Sequence, residues 1–137
     1  MKLDPSAFVA DQELIQAFEK RSAPVQCEAD RVLFTQGDAP RGLFILLKGE
    51  ATLTMNSQAG DEIMRIQANP GSLLGLPGLV GNEPYTLTAT ARKGAELSFL
   101  RCEDFSSLMQ TDPCVSFKVL QVLAAEVRSA RRALREL

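Results

Sequence analysis

The sequence predicts a mainly β domain, a double-sheet jelly roll or barrel with flanking helices, and three observations carry that expectation. Roughly six to eight short strand-like runs recur at about 8–12-residue spacing, punctuated by Gly and Pro. Helical spacing of apolar residues is confined to the two ends of the chain. The chain has 137 residues, 45% hydrophobic and 23% charged, enough for one real core and too few for two ordinary ones.

Residues 4–21 read as helix, with Asp4 and Pro5 as a cap-like start and Phe8, Leu14, Ile15 and Phe18 at helical spacings. Asp11 offers a second cap, so the segment also divides into two short helices. Residues 23–29 and 31–36 alternate as strands through Val25, Cys27, Val32 and Phe34, and Gly37-Asp38-Ala39-Pro40 is a turn. A short apolar run covers 42–48 and ends at Gly49. Residues 51–56 alternate Ala51, Leu53 and Met55 against Thr52, Thr54 and Asn56, and the polar loop 57–61 joins them to a partner strand over 62–67 as a hairpin. Beyond Pro70-Gly71 and a glycine-bounded stretch, strands are expected over 85–92 and 95–101, around Lys93-Gly94.

The chain closes in helices. Residues 103–110 form a short one, Thr111-Asp112 caps the next, and Pro113 suits its first turn. Nothing breaks that helix before Leu137, which gives about 25 residues and about 37 Å at 1.5 Å per residue. Val119, Leu123, Val127, Ala130, Leu134 and Leu137 step by four, four, three, four and three, the spacing of a coiled-coil seam. The first part, where Leu120 and Ala124 are also apolar, is expected to lie on the chain's own β domain. The part beyond Val127 is expected to clear the domain and meet a second copy. Arg128, Arg131, Arg132 and Arg135 read as a solvated cationic face near the helix C-terminus.

Composition excludes several kinds of chemistry. The chain has no histidine, which removes His-ligated haem, the commonest zinc sites and Ser–His or Cys–His nucleophile pairs. Cys27, Cys102 and Cys114 are widely spaced with no Cys-x-x-Cys pair, and read as free structural thiols in a reducing compartment. No paired-carboxylate motif stands out, so no enzyme activity, catalytic residue or metal site is expected. A net charge of −2 argues against nucleic-acid binding by the surface as a whole. No stretch approaches the roughly 20 apolar residues of a membrane span, and no signal core follows Met1, so a cytoplasmic protein with no membrane partner is expected.

The segment Gly75-Leu76-Pro77-Gly78-Leu79, followed by Tyr85-Thr86-Leu87, places a glycine-bounded helical turn between two strands, an arrangement that can aim backbone N–H groups at an anion. It resembles the phosphate cassette of the cyclic-nucleotide-binding sensor domains of Crp/Fnr regulators. That cassette runs glycine, glutamate, any residue, alanine or glycine, leucine, a variable loop, then arginine, serine or threonine, and alanine. Gly75, Gly78, Leu79 and Thr86 match, while Leu87 departs from the alanine. Leu76 stands at the glutamate position, which in the family holds the ribose, and Tyr85 at the arginine position, which holds the cyclic phosphate. Leu33–Ala39, Leu43–Gly49 and Pro70-Gly71 extend the resemblance along nearly the whole chain.

The resemblance implies a β-roll sensor domain with N-terminal helices over 1–112, a C-terminal dimerisation helix over 113–137, and a parallel homodimer. The family's DNA-reading helix-turn-helix domain does not follow Leu137 here, so direct DNA binding is not expected of this chain. Losing one partner of a buried charged pair costs roughly 3–5 kcal/mol, enough to turn a micromolar phosphate site into a millimolar one. The leading expectation is a non-enzymatic regulatory module that does not bind cAMP tightly, has no cofactor, and leaves room for an unidentified small-molecule effector. Candidate ligand contacts are Gly75, Leu76, Pro77, Gly78, Leu79, Tyr85, Thr86 and Leu87. Genuine cAMP or cGMP binding with substituted contacts, and a scaffold acting only through protein–protein contact, are the alternatives.

Overall fold

The structure, a computed structural model, describes residues 2–137. Eight strands form two four-stranded antiparallel sheets: β1 (Ala23–Gln26), β8 (Glu96–Arg101), β3 (Gly42–Lys48) and β6 (Leu73–Leu74) in that order, and β2 (Arg31–Phe34), β7 (Thr88–Ala91), β4 (Ala51–Asn56) and β5 (Glu62–Ala68). The predicted jelly roll and its β4–β5 hairpin are present. Four helices flank it: α1 (Gln12–Glu19), α2 (Leu76–Gly81), α3 (Cys102–Thr111) and α4 (Pro113–Arg135).

At the N-terminus the two-helix alternative holds, with a 3-10 turn over Pro5–Phe8 ahead of α1. The Asp4 side chain accepts from the Ser6 N–H and the Asp11 side chain from the Leu14 N–H, so each short element has its own cap. Asp112 caps α4 in the same way, accepting from the Cys114 and Val115 N–H groups.

β3 reads as one apolar run because both of its faces are buried. Phe44 and Leu46 face the sandwich interior with Phe34, Leu53 and Leu97, while Leu43 and Ile45 face a second cluster with Leu14, Phe18, Phe105 and Val119 from the helices. The chain therefore has two cores separated by one sheet.

Several expected strands are shorter than the pattern suggests, β1 ending at Gln26 rather than at residue 29. The strand expected over 85–92 begins only at Thr88, because the Tyr85 backbone is bonded to the turn before β3: its N–H donates to Asp38 O at 2.9 Å and its carbonyl accepts from the Gly37 N–H at 2.8 Å. β2 stops at Phe34, and the Gln36 side-chain amide reaches across to the end of β4 instead, accepting from the Asn56 N–H at 2.8 Å and donating to Asn56 O at 3.0 Å.

The long helix corrects a larger expectation. It does not leave the domain past Val127. Val115, Val119, Val122, Ser129 and Ala133 are buried along one face, and the Asp4 N–H donates to Ser129 Oγ at 2.7 Å. The N-terminal turn reaches back to cover the distal half of α4, a contact between the two ends of the chain with no local signature. Lys118 on α4 also pairs with Asp11 and Glu13.

Candidate functional site

The cassette is built on a tight turn. Gly75 has φ +97°, and a side chain there would bring its Cβ within 2.8 Å of the Tyr85 ring. Gly78 is hemmed in by Glu83 O, which an added Cβ would meet at 3.1 Å. These two approaches give the glycines a packing reason independent of any ligand. The helix that follows, α2, has six residues; Pro77 has no N–H, and the Leu79 N–H donates back to Gly75 O at 3.4 Å. Two of the four positions of the expected backbone anion cradle, Leu76 to Leu79, therefore have no free N–H.

Tyr85 is 4% exposed. Its ring stacks on Phe34, with centroids 4.0 Å apart and planes inclined by 20°. Its hydroxyl donates to Gly42 O at 2.7 Å and accepts from the N–H groups of Arg41 and Gly42 at 3.0 and 3.2 Å. Every hydrogen-bonding capacity of that oxygen is used by the start of β3. The side chain expected at the phosphate position therefore points into protein backbone.

Leu76 departs from its expected place. It is fully buried, but in the helical cluster with Leu43, Ile45 and Phe105, on the far side from the cassette cavity. An apolar side chain opening α2 turns toward the apolar core, so Leu76 does not line the cassette cavity. Leu79 packs between the two cores. Gly75, Pro77, Gly78, Tyr85, Thr86 and Leu87 do come together around a cavity, yet that cavity measures about 20 Å³. Small-molecule sites run to about 300–1,000 Å³. Arg92, the other cation of this region, pairs with Asp30 at 3.8 Å.

Sequence reasoning missed several residues that close the cavity: Phe8 from the N-terminal turn, Phe34, Leu53, Leu73, Leu74, and Glu126 from α4. Glu126 carries the most chemistry. Its Oε2 is buried with no hydrogen-bond partner, and burial pushes its carboxyl up to about 8 from an ordinary 4.5. The signal available in the sequence was a lone acid between Val122 and Ser129, in step with the inward face of the helix.

The six proposed seam residues divide. Val119 is 2% exposed in the helical core and is withdrawn from any outward seam. Its neighbour Leu120 points outward instead, so the outward apolar row runs Leu120, Leu123, Val127, Ala130, Leu134 and Leu137, stepping three, four, three, four and three, with Leu123 and Ala130 half-buried and the other four exposed. Arg128, Arg131, Arg132 and Arg135 are all exposed. Cys27 is buried, Cys102 half-buried and Cys114 exposed, and all three are free thiols. Among the described residues no group of three or more His, Cys, Asp or Glu could hold a metal ion, and no helix is long and apolar enough to cross a membrane.

A sequence model of the cyclic nucleotide-binding domain matches residues 24–112, well over half of the chain. The chain belongs to that family. This cyclic nucleotide-binding domain is 27% identical over 113 residues to a cyclic AMP receptor protein of Thermus thermophilus, covering 82% of this chain and 50% of that protein. It is 26% identical over 105 residues to lysophospholipase nte1 of Neurospora crassa, covering 77% of this chain but 7% of the enzyme. The domain thus spans half or less of the curated relatives it matches. The crystal structure of the Thermus thermophilus catabolite activator protein superposes with a TM-score of 0.79 at 23% identity, over 96% of this chain and 62% of that one. The fold is that of a Crp/Fnr-type sensor domain with its long C-terminal helix.

Proposed function

We propose that this chain is a non-enzymatic regulatory module of the cyclic-nucleotide-binding type that has given up tight cAMP binding and signals through a homodimer built on α4. One observation carries the first half of that reading: the space beneath the cassette is filled. Phe34 and Tyr85 stack inside it, the Tyr85 hydroxyl is spent on β3, and about 20 Å³ is left. What remains faces a carboxyl, Glu126, rather than a cation. A cyclic phosphate entering there would displace a packed aromatic pair and meet no guanidinium. Calorimetric titration with cAMP and cGMP to millimolar concentrations is expected to give no micromolar binding. A micromolar isotherm for either nucleotide would overturn the closed-cassette reading.

The dimer half rests on the outward row of α4. Leu120, Val127, Leu134 and Leu137 are 59%, 48%, 56% and 81% exposed, while the neighbouring face of the same helix, one residue round, is already buried against the domain. A helix with two apolar faces and one partner has a second face to cover. The protein is expected to be dimeric by light scattering, and Val127→Glu with Leu134→Glu to be monomeric with an unchanged far-UV circular dichroism spectrum, since both side chains lie outside the two cores. A double variant that stays dimeric would remove α4 from the interface.

A further inference from the structure

The two sheets part at the side where their end strands β1 and β2 meet, and an open cleft of about 430 Å³ lies there. It is separate from the cassette cavity. The stacked Phe34 and Tyr85 rings line both spaces and form the partition between them. No residue of α4 lines the cleft, so a dimer through that helix leaves it open.

The cleft has aromatic walls and a cationic rim. Phe44 and Phe99 lie against each other with ring centroids 4.8 Å apart, and with Phe34 and Tyr85 they give the cleft four aromatic rings. Arg31 and Arg41 stand at its edge, both exposed, and neither is paired with a carboxylate among the described residues. The one acid of the rim, Asp38, turns a carboxylate oxygen to the Thr35 N–H at 3.3 Å. The volume falls within the range of small-molecule sites.

We propose that this cleft binds a small aromatic carboxylate, its ring against the aromatic walls and its carboxylate toward Arg31 and Arg41. Aromatic rings gain offset or edge contacts with other rings beyond the area they bury. A guanidinium holds a carboxylate through charge-assisted, often bidentate bonds that a neutral group cannot reproduce. A pocket wall of rings beneath two unpaired guanidiniums selects for both properties in one molecule. The site rests on the closed-cassette reading only through the shared Phe34–Tyr85 wall, and its failure would leave that reading where it stands.

The test is titration of the 137-residue protein with 2-naphthoate, followed by methyl NMR at Val25 and Leu33, which line the cleft but not the cassette cavity. Saturable shifts at both residues are expected. Arg31→Gln and Arg41→Gln, at exposed positions that leave the cores intact, are each expected to weaken binding about tenfold, the scale of one charge-assisted hydrogen bond. The neutral analogue 2-naphthalenemethanol is expected to bind at least about tenfold more weakly than the acid. Absence of shifts at Val25 and Leu33 at millimolar naphthoate would overturn the proposal. So would equal affinity of the alcohol, or unchanged naphthoate affinity in both arginine variants.

Discussion

Tyr85→Ala is expected to destabilise the domain by about 5 kcal/mol, combining the roughly 3–5 kcal/mol of an aromatic-to-alanine cavity with the roughly 1–3 kcal/mol of leaving buried backbone groups unpaired. Tyr85 is buried, stacked on Phe34, and bonded through its hydroxyl to Gly42 O and to the N–H groups of Arg41 and Gly42. Small domains hold together by about 5–15 kcal/mol in total, so the variant is expected to unfold at low urea or fail to fold. Tyr85→Phe keeps the ring and loses only the hydroxyl, and is expected to cost about 1–3 kcal/mol in urea unfolding. That smaller variant is the decisive one. A hydroxyl kept for a ligand would be dispensable to the fold, so a Tyr85→Phe protein as stable as the parent would return Tyr85 to the list of ligand contacts.

The second large effect is on pH dependence. Glu126 holds its proton up to about pH 8 in the folded chain, whereas an ordinary glutamate releases it near 4.5. Between those values the folded state binds more protons than the unfolded state, so stability falls as pH rises through the window and levels off above it. At about 1.4 kcal/mol per pH unit the full loss is roughly 3–5 kcal/mol. Glu126→Gln carries no charge at any pH and is expected to show nearly flat stability from pH 5 to pH 9 by urea unfolding. Parallel pH profiles for the parent and the variant would place the origin of the slope elsewhere. The cause is the setting of the carboxyl: Oε2 is buried beside a cavity lined mainly by apolar side chains and glycines, with no partner to stabilise the charge.

The cassette shows how far the sequence could be read and where it stopped. Gly75 and Gly78 were legible because glycine marks backbone that another side chain could not follow. The resemblance also put Leu76 and Tyr85, neither of them charged, at the two positions where the family's polar ligand contacts are expected. Which way each side chain turned was not legible. Leu76 and Tyr85 look alike as lost contacts, yet one enters the helical core and the other fills the cassette cavity. Side-chain direction at a turn follows from what is packed nearby, and those neighbours come from β2, β3 and α4, far away in sequence.

The seam of α4 carries the same lesson. Its period was visible in the spacing of the apolar residues, but a helix with apolar residues on two sides fits two seams one residue apart. The contacts of Ser129 with Asp4 and of Val119 with the helical core assign the inner seam and leave Leu120 to open the outer one. By itself the sequence determined the jelly roll, the caps and the hairpin, because turn chemistry and strand alternation are local properties. The closed cassette, the unpartnered Glu126, the aromatic cleft and the register of the exposed seam were decided only by tertiary structure. Each depends on which distant segments share a wall, and in this chain the N-terminal turn and the last helix share one across its whole length.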